Sequence, residues 1–216
     1  TPLSEFKNLR KSGLIAINLR EGDELLKVKV TRGDADIIIV SQEGNAIKFN
    51  EQDVRPMGRT ASGVKSMNLR ENDIAVCMDI AVDDEELLVI SENGYGKRTP
   101  VSEYKRQNRG GVGLITYKIS EKTGKVVGAI VCKNDDELML INTSGIAIRI
   151  NVSDISVTSR SAMGVRLMRT SEEEKVVAIA KIAKTGDEEK DEQLSLEACA
   201  DNEVVEANKD TSLDRL

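Results

Sequence analysis

The sequence repeats itself about every fifty residues, and this periodicity restricts the chain to folds that stack one small structural unit. Two series of glycines, spaced by 50 or 51 residues, mark the repeat. The first series, which follows short apolar runs such as IIIV and LLVI, consists of Gly44, Gly94 and Gly145. The second series consists of Gly13, Gly63, Gly113 and Gly164. Such a pattern favours an array of similar units over a single irregular domain.

Each repeat predicts four short β-strands. Two strands flank the first-series glycine, and two more follow a long connection and are separated by an acidic turn such as Arg70–Asp73. Alternation of apolar and polar residues in AIKFN and VKSMN is typical of half-buried strands, whereas IIIV and LLVI predict strands covered on both faces. Evenly spaced turn residues without long helical periodicity indicate an all-β fold made of blades.

The predicted blades must stack around an axis, as in a propeller, because one blade cannot bury both of its faces alone. The segment Thr1–Phe6 is similar to Thr99–Tyr104, so the chain starts in the middle of a repeat. We expect a partial array of about three and a half repeats over residues 1–182. It is divided into a half-blade at 1–35 and blades at about 36–85, 86–136 and 137–182. Residues 183–216 hold 11 acidic and 4 basic side chains and are predicted to form a disordered acidic tail.

The composition excludes several classes of catalytic site. The chain has no histidine, which removes the common Ser-His and Cys-His catalytic pairs and histidine-containing metal sites. It has no tryptophan, three tyrosines and two phenylalanines, so the core must be largely aliphatic. The cysteines Cys77, Cys132 and Cys199 lack CxxC spacing, so neither a disulfide framework nor a zinc site is expected. Cys77 and Cys132 lie in apolar runs and are predicted to be buried thiols.

The net charge of −6 comes from the acidic tail, since residues 1–182 are close to neutral. Placement of charge in the folded part therefore matters more than its sum. No signal peptide and no apolar run of about 18 to 20 residues, the length needed to span a bilayer, is found in the sequence. We expect a soluble cytoplasmic protein that has no membrane partner.

The repeat also places cations at matching positions. Four residues after each first-series glycine lie Lys48, Arg98 and Arg149. Four residues before the later second-series glycines lie Arg59, Arg109 and Arg160. We predict that these rows line the rim of the array, together with the nearby Lys65, Lys97, Lys105, Arg106 and Arg166. The alternative is solvated surface or protection of strand edges.

Regular rows of cations fit a polyanion of regular spacing. Duplex DNA carries about one charge per 1.7 Å of its axis. Contacts to its phosphates position the duplex without reading its sequence. A curved basic rim can also bend the duplex, at a cost of about 1 to 6 kcal/mol for a short site, which several phosphate contacts together offset. The predicted partner is therefore double-stranded DNA.

The stretch QNRGGVG, residues 107–113, looks like a phosphate-binding loop. However, Arg109 and Gly113 occupy repeat positions, and neither a P-loop nor a dinucleotide-binding fingerprint is present. Gly110 and Gly111 permit a tight turn and a close approach of backbone N–H groups to a phosphate. The alternative is a glycine turn with a structural role only.

Four longer motifs carry a family resemblance. They are RTPVSEYKRQNRGGVG, DVRPMGRTASGVKSMNL, VISENGYGKRTP and SGIAIRINVSDI. Across nearly all of residues 1–182 the chain resembles the C-terminal domain of the A subunit of bacterial DNA gyrase, of the type IIA DNA topoisomerases. The resemblance implies a β-pinwheel, a disc of four-stranded blades in which neighbours exchange a strand. It also implies a non-catalytic domain that wraps DNA on its basic edge for ATP-dependent negative supercoiling.

The resemblance places catalysis outside this chain, with the DNA-cleaving tyrosine and the ATPase. ATP and Mg²⁺ would be used elsewhere in the holoenzyme. The protein partners would be the gyrase B subunit, together with the rest of the gyrase A subunit. Tyr95, Tyr104 and Tyr117 are then packing residues. Acidic tails in this family suggest that residues 187–210 compete with DNA for the rim.

The loop at residues 107–113 resembles the family's box, Q-[KR]-R-G-G-[KR]-G. The residues that it keeps are Gln107, Arg109, Gly110, Gly111 and Gly113. It departs from the box at Asn108 and Val112, where two cations are missing. The resemblance therefore implies a degenerate later copy of the box, without the box's essential role in wrapping.

Three other interpretations remain open. The first is the matching domain of the A subunit of topoisomerase IV, which uses a similar disc. The second is a propeller whose charged rim binds other proteins. The third, an enzyme that holds a nucleotide in QNRGGVG, is the least favoured.

Overall fold

Each first-series glycine closes a β-hairpin, and three such hairpins form the centres of three antiparallel sheets. The computed structural model describes residues 1–8, 11–171 and 173–182, so the predicted tail at 183–216 lies outside the described residues. The strands are β1 (Asp36–Ser41), β2 (Asn45–Asn50), β3 (Ala75–Ile80), β4 (Glu86–Ser91), β5 (Tyr95–Pro100), β6 (Leu114–Ile115), β7 (Val126–Cys132), β8 (Glu137–Asn142), β9 (Ala147–Asn151), β10 (Val165–Arg166) and β11 (Val176–Lys181). Short 3-10 helices span Leu3–Phe6, Glu51–Asp53, Val101–Glu103 and Val152–Asp154.

The strand order is the same in each sheet. The first sheet has the order β3-β1-β2-β6, the second β7-β4-β5-β10, and the third β11-β8-β9. The strand β7 contacts β3 of the first sheet and β11 of the third, so these three strands form the inner edge of the array. The strands β6 and β10 lie at the opposite, outer edge.

The first-series glycines are required by the geometry of the hairpin turns. Gly44, Gly94 and Gly145 have φ values of 79°, 76° and 77°, in the left-handed region that favours glycine. Each backbone N–H closes the turn on a carbonyl three residues earlier, at 3.0 Å. The sequence period is therefore the period of the hairpins.

The outer strand of each complete blade comes from the following repeat. The strand β6 pairs with β2, with Ala46 opposite Leu114, although β4 and β5 lie between them in the chain. The strand β10 pairs with β5 in the same register, with Gly96 opposite Val165. The expected β-pinwheel and its strand exchange are thereby confirmed. The sequence alone predicts that each blade consists of four consecutive strands of one repeat. That prediction is wrong, because the fourth strand comes from the following repeat.

Two segments at the position of the exchanged strand do not form strands. They are residues 14–19 and 64–69, and no described hairpin edge lies beside them for pairing. The strand predicted for VKSMN is thus wrong. A two-residue exchanged strand depends on its partner hairpin, because local propensity alone does not stabilise an isolated strand.

The second sheet buries both faces, which explains its unbroken apolar run. Leu87 and Val89 of β4 pack in the core shared with the first sheet. Leu88 and Ile90 of the same strand pack in the core shared with the third sheet. Burial of one such side chain contributes about 1.5 to 3 kcal/mol. The prediction that LLVI is covered on both faces is confirmed.

The aromatic and cysteine side chains belong to these cores. Tyr95, Tyr104 and Tyr117 are 7%, 1% and 1% exposed. Burial raises the pKa of Tyr117 to about 12. Cys77 and Cys132 are free and buried, and burial raises the pKa of each thiol to about 12. At neutral pH these thiols are protonated and unreactive.

In the described part of the chain, no helix is long and apolar enough to cross a bilayer.

Strand exchange predicts different costs for two equivalent glycine substitutions. Gly113 and Gly63 have nearly the same φ, 82° and 79°. A Cβ at Gly113 would lie 2.4 Å from the carbonyl oxygen of Ala46, whereas one at Gly63 would meet nothing within 4 Å. We expect Gly63→Ala to cost about 1 to 2 kcal/mol from backbone strain and Gly113→Ala about 2 kcal/mol more, because β6 must move off β2. Urea unfolding followed by circular dichroism measures the difference, and equal costs would contradict the observed pairing.

Candidate nucleic-acid interface

A row of arginines connects successive repeats along the outer edge. Arg59, Arg109 and Arg160 each donate from Nη1 to a main-chain carbonyl two residues after a second-series glycine. The acceptors are the oxygens of Ile15, Lys65 and Ile115, at 2.9, 3.0 and 3.2 Å. The same hydrogen bond thus recurs three times at the repeat spacing. These three residues are called the arginine row below.

The arginine row lies at the outer edge of the array, where Arg109 is exposed and Arg59 and Arg160 are half-buried. Its acceptor in the first complete blade, Ile115, belongs to β6, the outermost strand of that sheet. Arg109 is exposed and also donates from Nε to the carbonyl of Asp53 at 3.1 Å, which leaves Nη2 without a partner among the described residues. A guanidinium held in this way presents its remaining donors to an anion with little further loss of entropy.

Three cations that the sequence predicts on the rim lie inside the fold instead. Lys48, Lys97 and Arg98 are 5%, 0% and 4% exposed. They lie on β2 and β5, which the exchanged strand covers on one side. The segments around Arg106 and Val157 pair with Lys48 and Arg98 through isolated bridges and cover them further. The prediction of rim exposure is therefore wrong for these three residues.

The buried cations have fixed partners. The Lys48 Nζ lies 2.6 Å from a carboxylate oxygen of Asp83. The guanidinium of Arg98 donates to Glu86 at 2.8 Å and to the main-chain oxygen of Ile155 at 2.8 Å. A charge removed from water is tolerated only when it is paired and hydrogen-bonded in this way. These partners thus offset the lost hydration of both side chains and hold them inside the fold.

Arg149 shows that these cations are buried by the segments that cover their strands, and not by their position in the repeat. It occupies the same repeat position as Arg98 and pairs with Glu137, as Arg98 pairs with Glu86. Its side chain is nevertheless 61% exposed, because β9 carries no exchanged strand among the described residues. The sequence contains a signal for these ion pairs, since an acidic residue precedes each cation by twelve positions. Hairpin register brings the two positions close together on one face.

Lys97 is buried without a carboxylate bound to it. Its Nζ donates to the main-chain oxygens of Ser159, at 2.6 Å, and Arg160, and it lies 6.0 Å from the ring centroid of Tyr117. Burial, the largest effect, and the positive charge of Arg160 lower the pKa of Lys97 to about 8, although Glu103 acts in the opposite direction.

Other predicted cations remain on the surface. The Lys65 Nζ donates to the side chain of Asn68 at 3.0 Å, and Arg106, 60% exposed, lies 2.9 Å from Asp36. Arg166 is exposed and donates to the hydroxyl of Tyr95 at 2.7 Å. Lys105 is also exposed. These side chains, the arginine row and Arg149 are the predicted cations that an external polyanion can reach.

Sequence reasoning missed two exposed cations. Lys118 and Arg169 each lie five residues after a second-series glycine, on the segments that continue from the exchanged strands. Their repeat spacing is the signal that could have found them. They extend the cationic outer edge beyond the predicted set.

The loop at residues 107–113 ties neighbouring elements together. The Gln107 N–H donates to the carbonyl of Lys48 at 2.7 Å, and the Gly110 N–H donates to that of Ser66 at 2.6 Å. The Gly111 carbonyl accepts from the N–H of Asn68 at 2.8 Å. Gly110 has φ of 82°, which its turn requires. Its N–H is occupied, so the expectation that it approaches a phosphate is not supported by the geometry.

Comparison with known families agrees with this geometry. The model of the DNA gyrase C-terminal domain, beta-propeller, matches residues 1–32, 35–76, 85–133 and 136–183. The matched segments follow the repeat and together cover more than half of the chain.

Similar proteins include several that are named as the A subunit of DNA gyrase. One from Clostridium acetobutylicum is 68% identical over 189 residues, which are 88% of this chain and 23% of the relative. Another from Staphylococcus aureus is 44% identical and covers 89% of this chain and 22% of the relative. The chain therefore spans less than a quarter of the length of these relatives.

Two solved structures are similar to the chain. A DNA gyrase A C-terminal domain aligns at a TM-score of 0.74 with 33% identity, covering 80% of this chain and 59% of that chain. A C-terminal domain of DNA topoisomerase IV aligns at a TM-score of 0.78 with 27% identity, covering 83% and 57%.

Equivalent arginines should differ in their contribution to stability. Arg98→Met leaves Glu86 in a largely buried position without its partner, and we expect a loss of about 3 kcal/mol. The matched variant Arg149→Met removes an exposed pair, and we expect a loss below about 1 kcal/mol. Urea unfolding of the two variants tests this order, and equal losses would show that burial does not separate the two positions.

The lowered pKa of Lys97 predicts that this residue makes stability rise with pH. Below pH 8 both states bind the proton. Between about pH 8 and the ordinary pKa of 10.5, the lysine is protonated in the unfolded state but largely neutral in the folded state. The folded state therefore gains stability as the pH rises through this range. The gain approaches about 3 kcal/mol. The difference in unfolding free energy between the natural chain and Lys97→Met, measured from pH 7 to 10.5, should show this slope, and a constant difference would contradict it.

Proposed function

Because the chain belongs to the DNA gyrase C-terminal domain family, we propose that it binds duplex DNA along its outer edge and bends it without reading sequence. The chain itself carries no catalytic site in this proposal. Its role is to bind phosphates at regular intervals, so that the duplex follows the curve of the blades.

The arginine row is the observation that carries this proposal. Three guanidinium groups repeat at one structural position, each anchored on a carbonyl of the preceding repeat. Arginine is well suited to this role, because its planar fork matches phosphate geometry and its charge does not titrate. Because one end of each fork is already held, the side chain loses little freedom when it binds DNA.

The phosphate contacts in this proposal differ from the set that the sequence predicts. The exposed cations and the arginine row contact DNA, whereas Lys48, Lys97 and Arg98 act within the fold. Replacing Lys48 or Arg98 with a neutral residue would therefore change the stability of the fold first. Any change in DNA binding would be secondary to that loss. Exposed Lys118 and Arg169 join the interface.

The relatives are about four times longer than the matched segment, and we infer that this domain acts within a longer gyrase A subunit. There it would present wrapped DNA for ATP-dependent negative supercoiling. The gyrase B subunit, together with the rest of the A subunit, would supply its protein partners, and ATP and Mg²⁺ would be bound elsewhere in that assembly. The expected location is the bacterial cytoplasm, on the chromosome.

A second candidate is the equivalent domain of topoisomerase IV, which the similar solved structure favours. The identity of 68% to a protein named as the A subunit of DNA gyrase favours gyrase. A supercoiling assay with the whole subunit separates them, because the gyrase proposal expects negative supercoils from relaxed plasmid. A third candidate, a protein-binding propeller, expects no retention of a duplex of about 150 base pairs, one persistence length, at low salt.

The arginine row gives a quantitative test of DNA binding. We expect the triple variant Arg59→Gln, Arg109→Gln, Arg160→Gln to bind a long duplex more weakly. The slope of log affinity against log salt should become shallower by about 0.9 for each phosphate that the variant no longer neutralises. Fluorescence anisotropy at several salt concentrations measures both quantities.

The control for this variant is Lys133→Gln. Lys133 is 63% exposed and follows β7 at the inner edge of the array, so this change removes a surface charge away from the proposed contacts. Circular dichroism verifies that each variant is folded. An unchanged slope in a folded triple variant would refute the role of the arginine row.

A further inference from the structure

Lys97 occupies a position where the other two hairpins carry an aliphatic residue. It lies three residues after a first-series glycine, and the equivalent residues are Ile47 and Ile148. An ammonium group at a fully buried position costs several kcal/mol unless its interactions offset the lost hydration. Core packing alone therefore gives no reason for a lysine there, and its contacts must supply one.

Its contacts lead directly to the arginine row. The Lys97 Nζ binds the main-chain oxygens of Ser159 and Arg160, in the loop at residues 158–164. Arg160 in turn donates to the carbonyl of Ile115 on the outermost strand. Lys97 therefore holds the backbone that carries one member of the row.

The equivalent loop at residues 107–113 is held differently. There Gly110 adopts a φ of 82°, and its N–H donates to the carbonyl of Ser66. The loop at residues 158–164 has Ser161 in place of this glycine. Both loops begin with the same main-chain hydrogen bond, from Gln107 to the carbonyl of Lys48 and from Thr158 to that of Arg98. At the position of Gly110, however, the loop at residues 158–164 has a serine, and here the buried lysine binds the main chain.

We propose that Lys97 is a positioning residue of the DNA interface, which fixes Arg160 and places a buried positive charge beneath the phosphate that Arg160 contacts. This inference rests on the proposed function. The inference adds that the affinity for DNA at this blade depends on pH, because DNA binding and protonation of Lys97 favour each other.

The sign of the coupling follows from the groups around the ammonium. Arg160 opposes protonation, Glu103 favours it, and the pKa of Lys97 in the free chain is about 8. Burial raises the pKa of the neighbouring Tyr104 and Tyr117, so both remain neutral in this range. A phosphate bound at Arg160 adds a negative charge and raises the pKa of Lys97. DNA binding therefore takes up protons, and affinity falls as the pH rises above 8.

The first test observes Lys97 directly. Lysine labelled with ¹³C at Cε gives a resonance that titrates with its amine, and the spectrum of Lys97→Met assigns the signal. We expect a midpoint near 8 in the free chain and a higher midpoint with duplex of about 150 base pairs bound. A midpoint that is the same with and without DNA would overturn the proposal.

The second test compares affinities at pH 7 and pH 9.5. If DNA raises the pKa of Lys97 by about one unit, the natural chain loses up to about tenfold in affinity between these values beyond the loss in Lys97→Met. The matched variant Lys65→Met removes an exposed cation and should weaken binding by the same factor at both pH values. Identical pH profiles for the natural chain and Lys97→Met would refute the inference.

The two proposals fail in distinguishable ways. A natural chain that does not bind duplex at pH 7 and low salt refutes the proposed function. A chain that binds duplex but shows neither the midpoint shift nor the extra pH dependence refutes only the role of Lys97. If Lys97→Met does not fold, the titration of the natural chain, with Lys97 assigned by sequential NMR, decides the question.

Discussion

Pairing between a hairpin and the exchanged strand of the next repeat is the interaction on which the rest of the structure depends. It is possible because Gly113 and Gly164 approach the main chain of β2 and β5 so closely that a Cβ would lie 2.4 and 2.3 Å from a carbonyl oxygen. The pairing completes each of the first two blades with a strand whose chain continues into the next blade. It also encloses the second strand of the first two hairpins, so that side chains there become interior groups.

The same enclosure divides the cations into two classes. Arg98 lies under the covering segment and is a structural ion-pair partner, whereas Arg149, at the equivalent position of the uncovered third hairpin, stays exposed with the same kind of partner. The arginine row lies beyond the covered strands, and its hydrogen bonds hold the repeats together from outside. A residue such as Arg109 can therefore link repeats and still present donors to solvent.

Much of this organisation could be predicted, because it depends on local spacing. The glycine periods predicted the hairpins, and the unbroken apolar run of β4 predicted a sheet covered on both faces. The candidate interface was predictable in part, since the arginine row follows from its repeat position. The burial of Lys48 and Lys97 was not predictable, because nothing in a single repeat indicates which segment of the next repeat covers these side chains. For Arg98 and Arg149, the acidic residue twelve positions earlier was a usable signal of internal pairing.

The sequence by itself determined the repeat, the all-β class, the turns that need glycine and the set of recurring cations. Each of these is a property of one repeat and of the conformations open to its residues. Only the tertiary structure decided which strand completes each blade, which cations are covered and which face outward. These outcomes depend on contacts between repeats, where burial changes the free energy of a charge by more than any local preference does.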